Sequence, residues 1–97
     1  MLLIREVFNT KPGKAGELAK MFKQVIPHME KAGLKNTKVM TDLVAEYWTV
    51  VIESETEELA KFESEVRRFS SKPEVREIMK DYMSLVNGGR REIYKIE

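Results

Sequence analysis

Two segments of this chain, Leu2-Leu3-Ile4-Arg5-Glu6-Val7-Phe8 and Tyr47-Trp48-Thr49-Val50-Val51-Ile52, read as strands with apolar residues at both odd and even positions. Successive strand side chains point to opposite faces, so a strand with one wet face alternates, whereas a nearly continuous apolar run implies that both faces are covered. The helical segments of the chain suffice for only one face of a small sheet. The other face then requires a second copy, and the expected assembly is a homodimer joined through its sheet faces.

The elements between and after these strands follow from period and punctuation. Asn9-Thr10-Lys11-Pro12-Gly13 supplies a turn, and Lys14 to Ala32 has a helical period with Leu18, Phe22, Val25 and Met29 on one stripe. Pro27 inside that helix removes a backbone hydrogen bond and predicts a bend, and Gly33 predicts the stop. Lys38 to Val44 reads as a second strand joined to the third by a tight Ala45-Glu46 joint, which makes the pair antiparallel. From Thr56 a second helical region carries Leu59, Phe62, Val66 and Phe69. It breaks at Ser70-Ser71-Lys72-Pro73, where Ser71 and Glu74 have capping-box spacing. Val75, Ile78, Met79, Tyr82 and Leu85 or Val86 continue the stripe, Asn87-Gly88-Gly89 predicts its end, and Arg91 to Glu97 reads as a peripheral strand.

The order strand, helix, strand, strand, two-part helix, strand is the split βαβ arrangement, a four-stranded antiparallel sheet with its helices on one face. The first and third strands are central in it, and they are the doubly apolar ones. Lys38, Asp42, Glu92, Lys95 and Glu97 sit in the other two. The 97 residues, 42% of them hydrophobic, are expected to form a single domain over 1–97. Seventeen basic and sixteen acidic side chains are interleaved along the chain, which argues against nucleic acid and anionic membrane as partners. With no cysteine, disulfides and thiolate chemistry are excluded. No window approaches the ~20 apolar residues of a membrane span. No basic leader precedes the first strand, so the expected location is cytoplasmic.

RNA-recognition modules share this strand order, but they expose aromatics on a third strand that opens with a basic residue and Gly. Glu46-Tyr47-Trp48-Thr49-Val50-Val51-Ile52 has neither. The whole chain instead resembles the dimeric α+β barrel superfamily, including NIPSNAP-like and antibiotic biosynthesis monooxygenase-like domains. The resemblance rests on Thr10-Lys11-Pro12-Gly13-Lys14 after the opening strand, Trp48 in the third, the Ser71-Lys72-Pro73-Glu74 break, and the closing Gly89-Arg90-Arg91-Glu92-Ile93-Tyr94. It implies an α+β protomer with a ferredoxin-like βαββαβ fold, a cleft between sheet and helices, and a dimer. The superfamily holds cofactor-free oxygenases, haem-degrading enzymes and lactone isomerases, so the likeness does not choose a reaction. In the haem-degrading branch an Asn, a Trp and a His are expected where this chain, lined up on its Gly13, Ser54 and Ser71 boundaries, has Glu6, Ile52 and Met79. Without an axial nitrogen the iron has no protein bond, and the only histidine is on the other helix. No cofactor and no metal are expected: there is no second histidine and no Gly-rich phosphate loop.

The same lining-up turns even-numbered residues of the two central strands toward the cleft. Glu6 is the candidate catalytic residue. A carboxyl among Ile4, Phe8, Val50 and Trp48 has its charged form disfavoured and can serve as acid or base near neutrality. The alternative is an ion pair with a lysine of the first helix or an arginine of the last strand. The candidate substrate-binding residues are His28, at the margin of the first helix stripe, Trp48 as a stacking wall, and Tyr82 and Tyr94 as hydrogen-bonding aromatics. Each also has a core, interface or helix-end reading. Arg5 and Glu53 share the odd-numbered face and are expected to pair. Two functions remain open: a small-molecule binder or cofactor-free enzyme, monooxygenase- or isomerase-like, acting on a hydrophobic or aromatic compound, or a non-catalytic homodimeric module whose cleft is filled by core side chains.

Overall fold

A computed structural model describes residues 1–97. Its elements are β1 (Leu2–Thr10), α1 (Ala15–Ala32), β2 (Lys35–Thr41), β3 (Thr49–Thr56), α2 (Leu59–Ser70), α3 (Pro73–Ile78), a 3₁₀ helix (Tyr82–Leu85) and β4 (Val86–Lys95). The strands form one antiparallel sheet in the order β2-β3-β1-β4, so β1 and β3 are central as their sequences require. The helices lie on one face, which makes the chain a ferredoxin-like α+β fold.

Helix α1 packs one stripe, Ala15, Leu18, Phe22, Val25, Met29 and Ala32, onto the sheet. These positions recur every three or four residues, and Leu18 is fully buried. The helix continues through Pro27 and ends where Gly33 adopts φ 115°. There the amide of Leu34 donates to the Met29 carbonyl at 3.1 Å, and the Leu34 side chain turns into the core. Ile4, Val50, Ile52, Phe62, Val75 and Leu85 complete that core from the sheet and the other helices.

Several boundaries differ from the sequence reading. The Ala45-Glu46 joint does not form. Strand β2 stops at Thr41, and the hairpin closes where the Asp42 amide donates to the Thr49 carbonyl at 3.3 Å and the Asp42 carboxylate accepts the Thr49 amide at 2.9 Å. Leu43 to Trp48 becomes a loop, with Trp48 at φ 62° and Leu43 and Val44 almost fully exposed. Strand β3 runs on to Thr56, so α2 begins at Leu59 and that leucine faces solvent. The Ser71–Glu74 box is also absent. Pro73 opens α3 at its first position and forces Lys72 before it to extended geometry, while the Ser71 hydroxyl donates back to the Arg68 carbonyl. The third helical stripe does not continue to Val86, because it ends at Met79 and Asp81 turns through the left-handed region into the 3₁₀ helix. Gly88 and Gly89 are not a helix stop but part of β4, opposite Asn9 and Phe8. A Cβ on Gly89 would sit 2.5 Å from the Val7 carbonyl oxygen, so the close strand approach requires glycine there.

The sheet face away from the helices carries a charged network. Arg5 is paired with Glu53 at 2.8 Å and with Glu92 at 3.0 Å, and Arg90 reaches Glu92 at 2.6 Å. The expected Arg5–Glu53 pair is therefore made within the chain itself. Val7, Val51 and Met40 lie side by side on the same face, Val7 buried and the other two half-buried.

Candidate functional site

Even-numbered residues of the central strands face the helices, and there the core is incomplete. A cavity of about 320 Å³ opens between sheet and helices. Its floor is Ile4, Glu6 and Phe8 of β1 with Ile52 and Ser54 of β3, one wall is Phe22, Val25 and Met29 of α1, and the roof is built from α2, α3 and the 3₁₀ helix. Of eighteen lining residues thirteen are hydrophobic, so what fills it must be mostly apolar. The five others are Glu6, Ser54, Ser70, Arg76 and Arg91.

Glu6 is where the strand register predicts, directly opposite Arg91 of β4 and Ile52 of β3. Its carboxylate accepts a hydrogen bond from the Arg91 guanidinium, which also lies 5.2 Å from the centre of the Phe62 ring. Burial among apolar groups raises the Glu6 carboxyl above the usual carboxylate range, and the hydrogen bond and charge of Arg91 oppose the rise without cancelling it. With side-chain exposures of 24% for Glu6 and 52% for Arg91, the pair spans the boundary between cavity and solvent. A carboxyl so placed can exchange a proton with a bound molecule, and the guanidinium beside it can stabilise an adjacent negative charge.

The sequence-predicted residues are only partly brought together. Glu6 and Tyr82 line the cavity. Trp48 does not: it belongs to the β2–β3 loop, where its carbonyl accepts the Thr10 amide at 2.8 Å, and it leaves the extended run that would have pointed it inward. His28 is half-buried on α1 and does not line the cavity, and its Nδ1 is buried without a hydrogen-bond partner. Tyr94 sits opposite Leu3 on the outer sheet face, half exposed, its hydroxyl donating to Glu92 at 3.2 Å. Sequence reasoning missed Arg76, and it assigned Arg91 to strand start alone or to an unspecified pairing role. Alternation along β4 carried the Arg91 signal, since Arg91 and Ile93 share the parity that faces the helices. No cluster of three or more His, Asp or Glu side chains comes together anywhere in the fold.

This geometry defines a ferredoxin-like domain with an apolar, carboxyl-bearing cleft, and solved structures share its fold. An uncharacterized NIPSNAP domain protein from Burkholderia xenovorans superposes with a TM-score of 0.82 at 12% identity, covering 100% of this chain and 95% of the other. A NIPSNAP family protein from Agrobacterium tumefaciens gives 0.84 at 11%, over 99% and 92%. An antibiotic biosynthesis monooxygenase gives 0.75 at 9%, over 100% and 99%. The neighbours of this chain are thus NIPSNAP domain and antibiotic biosynthesis monooxygenase-like proteins, and at these identities the likeness is one of fold. No family model matches the sequence, and no curated protein matches it.

Proposed function

We propose that this protein binds a small hydrophobic or aromatic molecule in the cleft between sheet and helices, with Glu6 as the group that exchanges a proton with it. The observation that carries the reading is the unfilled apolar cavity with a carboxyl of raised pKa in its wall. It supports cofactor-free chemistry of the monooxygenase or isomerase kind, in which an apolar pocket holds the substrate and one carboxyl moves its proton. The alternative, a non-catalytic homodimeric module, expects that space to be filled by core side chains. The Glu6–Arg91 ion pair favours a second reading, in which the carboxylate is structural. The outer sheet face supports a homodimer: Val7, Val51 and Met40 form an apolar strip whose neighbouring charges are already paired within the protomer.

A screen of apolar and aromatic compounds by thermal shift tests the proposal, because a ligand at a hundred times its Kd stabilises the folded state by about 2.7 kcal/mol. Val66→Phe, which adds bulk at the cavity wall, is expected to abolish the shift and leave the fold intact. Glu6→Gln is expected to keep binding and lose turnover of any compound that is converted. Absence of any ligand-dependent shift across the screen would leave the structural reading in its place.

A further inference from the structure

The mouth of the cavity is not electrically neutral. Glu6 is its one acidic group, and Arg91 and Arg76 are two guanidinium groups, so one positive charge is left over. Arg91 is committed to Glu6 and to the Phe62 face. Arg76 takes part in none of the ion pairs of the chain. It is exposed and yet lines the cavity, which places it at the rim rather than the floor. Ser70, the last residue of α2, stands at the same rim across the Ser71–Lys72 break, exposed and with its hydroxyl making no hydrogen bond within the chain.

We infer that the molecule this cleft takes is an amphiphilic monoanion, an apolar body inside the cavity and one carboxylate or equivalent oxyanion at the rim, held by Arg76 with Ser70 as a second donor. The inference rests on the cleft being a ligand site and adds the charge of the ligand and the residue that reads it. An apolar lining selects the body by burial, and an unpaired guanidinium selects the head group, because its planar fork matches an oxyanion. The cavity volume fits a body of about ten water-sized groups at about 30 Å³ each, the size of a medium-chain acid or a bicyclic aryl acid.

Octanoate with octanamide, and 2-naphthoate with 2-naphthamide, are matched pairs differing in charge. Titration calorimetry at neutral pH is expected to show each acid binding about fivefold tighter than its amide, the worth of an ion pair at a half-open rim. Arg76→Gln is expected to bring that ratio to about one while leaving the amides unaffected, and Arg76→Lys is expected to retain only part of it, the charge without the fork. Amides that bind as tightly as the acids would overturn the charge preference and leave the cleft a ligand site. An acid preference that survives in Arg76→Gln would overturn the assignment to Arg76. If neither member of either pair binds, this inference falls, and the broad thermal-shift screen alone decides whether the cleft is a ligand site.

Discussion

Replacing Arg91 by Met keeps a stem of similar length over Phe62 but leaves Glu6 without its guanidinium. Two losses follow. The half-exposed ion pair is worth about 1 kcal/mol, the upper end for pairs in contact with water, and the cation over the Phe62 ring about 0.5 kcal/mol. Only the first depends on the protonation of Glu6. In the wild type the folded-state pKa of Glu6 is raised by burial and held back by Arg91, so removing Arg91 raises it further. A carboxyl whose pKa is higher folded than unfolded binds protons more readily in the native state. Its contribution is then most favourable below the unfolded pKa and is lost as pH rises through the folded value. The variant deficit should therefore grow with pH, from about 0.5 kcal/mol near pH 4 to about 1.5 kcal/mol at pH 7. Urea unfolding of wild type and variant at both pH values, with matched slopes, measures it. In a Glu6→Gln background the cost of Arg91→Met should be small and independent of pH. A deficit equal at both pH values, or unchanged when Glu6 is already Gln, would refute the coupling.

Gly33→Ala should cost about 3 kcal/mol. Part is the left-handed backbone, and part is a Cβ pressed against the Glu65 side chain, 3.3 Å from its Cδ, which drives the buried carboxylate off the Thr56 hydroxyl it accepts at 2.6 Å. In a Glu65→Ala background the added cost should fall to about 1–2 kcal/mol, the backbone share alone, as read by urea midpoints. Val51→Asp should convert a dimer to monomer in sedimentation at micromolar concentration, since it places a charge in the apolar strip of the outer face. A wild type that already sediments as a monomer would refute the sheet-face dimer.

Hydrophobic period carried most of the fold into view. The α1 stripe, the Gly33 stop and the central place of β1 and β3 follow from residues whose burial is settled by their own element, whereas the inward parity of Glu6 comes from lining the chain up with the superfamily it resembles, since β1 is apolar on both faces. Legibility failed where apolarity and burial part company. Leu43, Val44, Tyr47 and Trp48 look like strand yet stand in a loop of the protomer, because the Asp42–Thr49 clamp closes the hairpin before them. Glu65 is the converse, a carboxylate 2% exposed on the inner side of α2, indistinguishable by sequence from its solvated neighbours until Thr56 and Gly33 are brought beside it. Arg76 was invisible for a related reason. Its place at the cavity rim depends on the direction in which α3 leaves Pro73, a property of the chain break rather than of any periodic pattern.

The roof of the cavity is made of short pieces. After α2 come a six-residue helix and a four-residue 3₁₀ turn, separated by Ser71–Lys72 and by the left-handed Asp81, whereas the floor is the continuous ladder of the sheet. A helix of six residues has no stability of its own and is held through Val75 and the groups packed beside it. Opening of α3 and the turn therefore costs a fraction of the global unfolding free energy, and the amides of Val75 to Leu85 should exchange with solvent well before those of β1 and β3. A molecule bridging Arg76 to the cavity floor, as proposed above, is expected to slow exchange in the roof more than anywhere else in the chain.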